Sequence, residues 1–356
     1  MKPRLIALLL CCFLAAPASL AQSSTPNSPA ESTNPLRDFF NRPAVRGALN
    51  VVRDIASQVA FTWSTQDARY GLFLDDDWQQ RTSTRPLVVI VHGYGSEPEE
   101  FESLRARLRA DGLATGAFAY PNDAAIALSG REFALALQEF ERRYPGRRIS
   151  LVAHSMGGLV SRMAIEDPDI PEVSNVDRLI MVATPNQGSH LARVPVSLDI
   201  WQNWLDGEPD TVRSVFFESV LDGLNEARVD MQPESELIAR LNSQPRSPDV
   251  RYALILGTRG PATREQIDEL RRLIMSRQST NPALRVLGSE LELLLEDLDE
   301  LVNGLGDGAV AVERGRLQGI DDTIVFDFHH GAINTALTDD TGNRLVAEIL
   351  TRLNRP

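Results

Sequence analysis

With 356 residues the chain can bury one large α/β core carrying insertions, or fold as two domains. A hydrophobic fraction of 43% and a charged fraction of 24% are those of a globular protein, not of a disordered or fibrous one. The net charge of −13 argues against a nucleic-acid partner, because phosphate binding needs a basic face.

Residues 1–21 read as a signal peptide. Lys2 and Arg4 make a positive start, Leu5 to Ala16 is an apolar run too short to span a bilayer comfortably, and Ser19-Leu20-Ala21 supplies the small residues before a cut. The chain is therefore expected to be exported, periplasmic or secreted. Both cysteines, Cys11 and Cys12, lie inside this segment, so the mature chain is expected to carry neither a disulfide nor a thiolate zinc site. Residues 22–36, rich in Ser, Pro, Thr and Asn, are expected to be a disordered linker. Residues 37–356 then form the folded domain.

A helix is predicted over Arg46 to Phe61, from apolar residues at helical spacing, and a short strand over Tyr70 to Leu74. The triplet Asp75-Asp76-Asp77 matches no calcium loop and reads as a solvated turn. Pro86 to His92 is a continuous apolar run, the mark of a strand covered on both faces. An acidic helix start at Glu97 follows, with an amphipathic stretch to Ala110, a strand over Gly116 to Tyr120 and a long helix over Ala124 to Tyr144. Ile149 to Ala153 is a strand that turns at Ser155 into a helix, and Asp177 to Thr184 is another strand. Arg251 to Leu256 and Thr323 to Phe328 are further strands, and Asn343 to Leu353 closes the chain as a helix. Alternating strands and helices predict an α/β fold with a doubly wound, mostly parallel sheet. Two helical insertions interrupt it, at about 186–249 (a cap over the strand ends) and 260–305 (a helical hairpin with leucines at Leu284, Leu287, Leu291, Leu294, Leu298 and Leu301).

The stretch from Arg148 to Arg162 carries the chemistry. A tight strand-to-helix turn pushes the Ser155 hydroxyl out of the sheet edge, and Ala153, Gly157 and Gly158 are small enough for strand and helix to pass closely. The Met156 amide then faces any oxyanion that forms, and the Tyr94 amide, in the loop after the Pro86 strand, is the second candidate donor. Serine needs a base and a carboxylate to orient that base. His92 and His154 are read as bracing their turns, and His190 as a surface residue at a helix start. His329 and His330 follow the last strand and point in opposite directions. His330 is chosen as the base because Gly331 lets the chain leave the sheet there; His329 is the alternative. Asp307, between Gly306 and Gly308, is the candidate acid ahead of Asp321, Asp322 and Asp327.

The runs LVVIVHGYGS, AHSMGG, VATPNQGS, GDGAVAVERGRL and FHHGAI, in that order, resemble the α/β-hydrolase superfamily and within it the secreted bacterial lipases and esterases. AHSMGG departs from the common G-x-S-x-G pattern by Ala153. The resemblance implies acyl transfer to water: Ser155 attacks an ester carbonyl, His330 moves the proton, Asp307 holds the ring, and the Tyr94 and Met156 amides bind the oxyanion. It implies a carboxylic ester or lipid substrate, with transient contact to a lipid surface. No cofactor or metal is expected. A thioesterase, amidase or polyester depolymerase on the same fold, and a non-catalytic exported interaction protein on a hydrolase scaffold, are the competing readings. The trio Ser155, His330 and Asp307 is complete, which the last of these does not require.

Overall fold

The computed structural model describes residues 70–81, 85–121, 124–170, 172–193, 226–269, 272, 298–335 and 337–355. The predicted signal peptide, linker and first helix lie outside the described residues, as do 194–225 of the first predicted insertion and most of 270–297 in the second. The chain divides into two units, Met1–Ala60 with Arg264–Asp297, and Phe61–Thr263 with Leu298–Pro356. Residues 264–269 of the first unit are helical. The sheet and all candidate site residues belong to the second.

The second unit is built on strands β1 (Gly71–Leu74), β2 (Leu87–Val91), β3 (Thr115–Ala119), β4 (Ile149–His154), β5 (Val176–Val182), β6 (Arg251–Gly257) and β7 (Thr323–Phe326). They form one sheet in the order β1-β3-β2-β4-β5-β6-β7. The pairs from β3 through β7 are parallel, with Val91 opposite Ala153 and His154 opposite Val182. β1 departs from the parallel pattern. It closes the edge antiparallel to β3, with Gly71 opposite Ala119.

Side-chain alternation divides the core into two layers. Val89, Val91, Leu151, Ala153, Leu179 and Met181 face one side, where they meet Phe133 and Leu137 of one helix and Leu159 and Val160 of another. Those helices are α2 (Ile126–Arg143) and α3 (Met156–Glu166). Val88, Ile90, Val152, Ile180 and Val182 face the other side, against Leu104 and Leu108 of α1 (Glu102–Ala110) and Leu345 and Ile349 of α7 (Asp340–Leu353). The central strands β2, β4 and β5 are buried throughout, which is why they read as unbroken apolar runs. Of the first insertion the described helices are α4 (Glu226–Asp230) and α5 (Glu236–Ser243), and α6 (Val312–Gly315) precedes β7.

The acidic triplet after β1 is a turn with Asp76 exposed, but its first residue, Asp75, is not solvated. The Asp75 carboxylate is only 15% exposed and pairs with Arg105 and Arg109 at 2.8 Å each, with the Thr115 hydroxyl as a further donor. It ties the end of β1 to α1 and β3.

The sharpest packing lies under the turn at Ser155. A side chain at Gly157 would meet the carbonyls of Val91 and His92 at 2.4 and 2.3 Å, and one at Gly158 would meet Thr184 Oγ1 at 2.1 Å. Helix α3 thus passes the backbone at the end of β2 closely and packs on the Thr184 side chain, just beyond β5. Gly158→Ala should destabilise by about 1–3 kcal/mol in urea denaturation, an overpacking cost. Thr184→Ala in the same chain should recover part of it; additive losses from the two changes would show that the crowding is not the cause.

Candidate active site

The site forms at the carboxyl ends of the parallel strands. Ser155 follows β4 with φ 52° and ψ −127°, a conformation that costs a residue with a side chain roughly 1–3 kcal/mol. The turn is held by the Ser155 amide, which donates to the Val182 carbonyl at 2.9 Å, and by the Gly158 amide, which donates to the Ser155 carbonyl at 3.0 Å. Met156 is the first residue of α3, so its N–H has no acceptor within the helix.

Asp307 lies on the loop before α6 and is 1% exposed. Its Oδ1 accepts from the amides of Ala309 at 2.9 Å and Val310 at 2.8 Å, which turns Oδ2 toward the end of β7. There, in a short 3-10 turn over His330–Asn334, His330 Nδ1 meets Asp307 Oδ2 at 3.0 Å and Nε2 meets Ser155 Oγ at 2.9 Å. A carboxylate can only accept, so Nδ1 carries the hydrogen and Nε2 presents its lone pair to the hydroxyl. Ser155, Asp307 and His330, the three residues singled out in the sequence, are brought together in one hydrogen-bonded line. His329, the alternative base, caps the 3-10 turn, and burial lowers its pKa. The rejected carboxylates pair elsewhere: Asp327 with Arg259 at 2.7 Å, and Asp322 with Arg352 at 2.8 Å and Arg355 at 2.6 Å.

The loop after β2 abuts the serine. A side chain at Gly93 would come within 3.0 Å of Ser155 Cβ, so Tyr94, the next residue, stands beside the turn. His92 braces this loop: Nδ1 bonds the Gly93 carbonyl at 3.0 Å, and its ring stacks on Tyr120 with centroids 4.2 Å apart. The Tyr120 hydroxyl donates to the His92 carbonyl at 2.6 Å. Burial pushes the His92 pKa down to about 4.

Several supporting residues were not legible in the sequence. His190 is not on the surface. It is buried, its amide donates to Glu300 Oε1 at 2.7 Å, and its Nε2 faces an Arg314 guanidinium nitrogen. The Glu300 carbonyl accepts from the Gly308 amide at 2.7 Å, and Ser189 Oγ donates to the Ala309 carbonyl at 2.8 Å. The 185–190 loop is thereby fastened to the loop that presents Asp307. Its Asn186 bonds Arg162 of α3 at 3.1 Å and the Gly315 carbonyl at 2.8 Å. Arg162 is fully buried with Glu166 at 3.2 Å, and burial lowers the arginine pKa and raises the glutamate pKa. Their i,i+4 spacing on an otherwise apolar helix was the available signal. Among the described residues, no group of three His, Cys, Asp or Glu side chains is arranged to hold a metal ion.

The profile of a family described as "Domain of unknown function (DUF7379)" matches residues 50–278. The chain belongs to this family. No curated protein matches this DUF7379 chain. Among solved structures, it is similar to the Bacillus licheniformis lipase BlEst2 in mature form, with TM-score 0.53, 19% identity, and coverage of 79% of this chain and 97% of that one. The propeptide form of the same lipase gives TM-score 0.52 at 19% identity, covering 77% of this chain and 53% of that one. The DUF7379 chain has the α/β-hydrolase fold, with a mostly parallel seven-stranded sheet flanked by helices.

The buried imidazole of His92 gives the stability a pH dependence of known sign. Between about pH 4 and the ordinary histidine value the unfolded chain binds a proton that the folded chain excludes, so stability falls as pH falls through that window. From about pH 7 to about pH 4.5 the wild type should lose on the order of 2–3 kcal/mol more in urea denaturation than His92→Gln does. Equal losses in both would contradict the assignment.

Proposed function

We propose that this protein is an exported serine hydrolase of carboxylic esters, lipase- or esterase-like, working through Ser155, His330 and Asp307. The observation that carries the reading is the 2.9 Å contact from Ser155 Oγ to His330 Nε2, continued by the 3.0 Å contact from His330 Nδ1 to Asp307 Oδ2. Ser155 Oγ attacks the ester carbonyl while Nε2 takes its proton. The tetrahedral oxyanion is received by the amides of Met156 and Tyr94. His330 then returns the proton to the departing alcohol, leaving an acyl-serine, and a water activated by the same ring releases the acid. Asp307 keeps the ring in the tautomer that this sequence requires. Ser155 is 8% exposed and His330 7%, so the proton transfer takes place away from bulk water, in surroundings where the oxyanion donors are worth more than they are in water.

The likeness in fold to a lipase is consistent with this reaction, and an apolar ester presented at a lipid surface is the substrate class we assign. Neither a metal nor a cofactor enters the proposed steps. The positive start and apolar run of residues 1–21 support export.

Ser155→Ala and His330→Ala should each lower kcat on a p-nitrophenyl ester by on the order of 10⁴-fold or more without loss of fold by circular dichroism. Asp307→Asn should lower it by on the order of 10³–10⁴-fold, because the ring loses its orienting acceptor. Wild-type turnover in Ser155→Ala would remove the nucleophile. An active His330→Ala beside a dead His329→Ala would move the base. A series of p-nitrophenyl esters of increasing acyl length then reads the preferred chain.

A further inference from the structure

His330 is held at every polar atom it has. Its amide donates to the Asp307 carbonyl at 3.0 Å, Nδ1 to Asp307 Oδ2 at 3.0 Å, and Nε2 faces Ser155 Oγ at 2.9 Å. The fourth atom, its carbonyl oxygen, is bonded by Nε2 of His154 at 3.0 Å. His154 is the last residue of β4 and the immediate neighbour of Ser155. Its ring is 5% exposed, with the Phe101 ring centroid 5.8 Å away and that of His330 4.8 Å away.

A carbonyl can only accept, so His154 Nε2 carries the ring hydrogen. Among the described residues its Nδ1 has no hydrogen-bond partner, an arrangement suited to a neutral ring. Burial first, and the neighbouring His330 second, push its pKa well below the ordinary value. A neutral ring at this place does not oppose a positive charge on His330.

The placement has a mechanical consequence. His330 lies in a 3-10 turn beyond the end of β7, off the sheet ladder, and Asp307 is itself on a loop. His154 instead belongs to a buried central strand paired on both sides. We propose that His154 is a positioning residue, which fixes the His330 carbonyl to the strand end carrying Ser155 and so sets the distance between the hydroxyl and the base. The inference rests on the serine-hydrolase reading for its kinetic consequence, but not for its geometric one.

Wild type is compared with His154→Met, of similar reach but without an N–H, and His154→Gln, which keeps a donor at similar reach. The readouts are kcat and KM on a p-nitrophenyl ester, and the Ser155 Oγ to His330 Nε2 distance in crystal structures. His154→Met should lower kcat by about 10- to 100-fold with KM within about two-fold, since a small misplacement of the base acts on chemistry and not on binding. The distance should lengthen past hydrogen-bond range, and His154→Gln should recover most of both. If the Met variant does not fold, His154→Asn, whose amide falls one methylene short, takes its place. A wild-type kcat and distance in the Met or Asn variant, a kcat loss at unchanged distance, or a loss that Gln does not recover would overturn the proposal. If wild type turns over no ester, the functional reading fails by itself, and the distances still decide the role of His154.

Discussion

A hydroxyl, an imidazole and a carboxylate from positions 155, 330 and 307 stand in one line with steps of 2.9 and 3.0 Å. Contacts this short cannot be held by flexible side chains alone, so the surrounding structure has to place three backbone segments within fractions of an ångström. Much of the described architecture can be understood as meeting that constraint. Six parallel strands bring the ends of β2, β4, β5, β6 and β7 to one edge, and the loops that leave that edge carry the three groups.

The serine is placed by the sheet itself. Its strained backbone persists because its neighbours over-determine it: the Val182 carbonyl takes its amide, and α3 packs through Gly157 and Gly158 against β2 and Thr184. The other two groups sit on loops and are placed by polar ties. Asn186, Ser189 and His190 join α3, α6 and the loops bearing Glu300 and Asp307, and the ring of His154 reaches the His330 carbonyl. Buried polar groups tied in this way are costly to break singly, since each leaves an unmet partner in a low-dielectric interior. Arg162 and Glu166, both fully buried in their side chains, are the deepest case.

Much of this could be read from the residues in order. Strands β2, β4 and β5 are covered on both faces and so are written as continuous apolar runs. Ser155 stands out because close passage of strand and helix demands small residues on both sides of it, Asp307 because glycines flank it, and His330 because Gly331 follows it. What was misread depends on partners far along the chain. Asp75 reads as solvated until Arg105 and Arg109, 30 and 34 residues on, are seen to fold over it. His190 reads as a surface residue because Glu300, 110 residues away, and Arg314, 124 residues away, are what bury it. The antiparallel edge was equally hidden: β1 is four residues long and mostly half-buried, a pattern that says nothing about the direction of its neighbour.

The central claim is that the Ser155 hydroxyl is a nucleophile activated by the ring beside it. Reaction of the folded protein with a fluorophosphonate, followed by peptide mass spectrometry, tests this without any assumption about the substrate. The account predicts a single phosphonylated residue at Ser155, with labelling abolished in His330→Ala. A folded wild-type chain that takes no label, or one labelled at another serine, would contradict it.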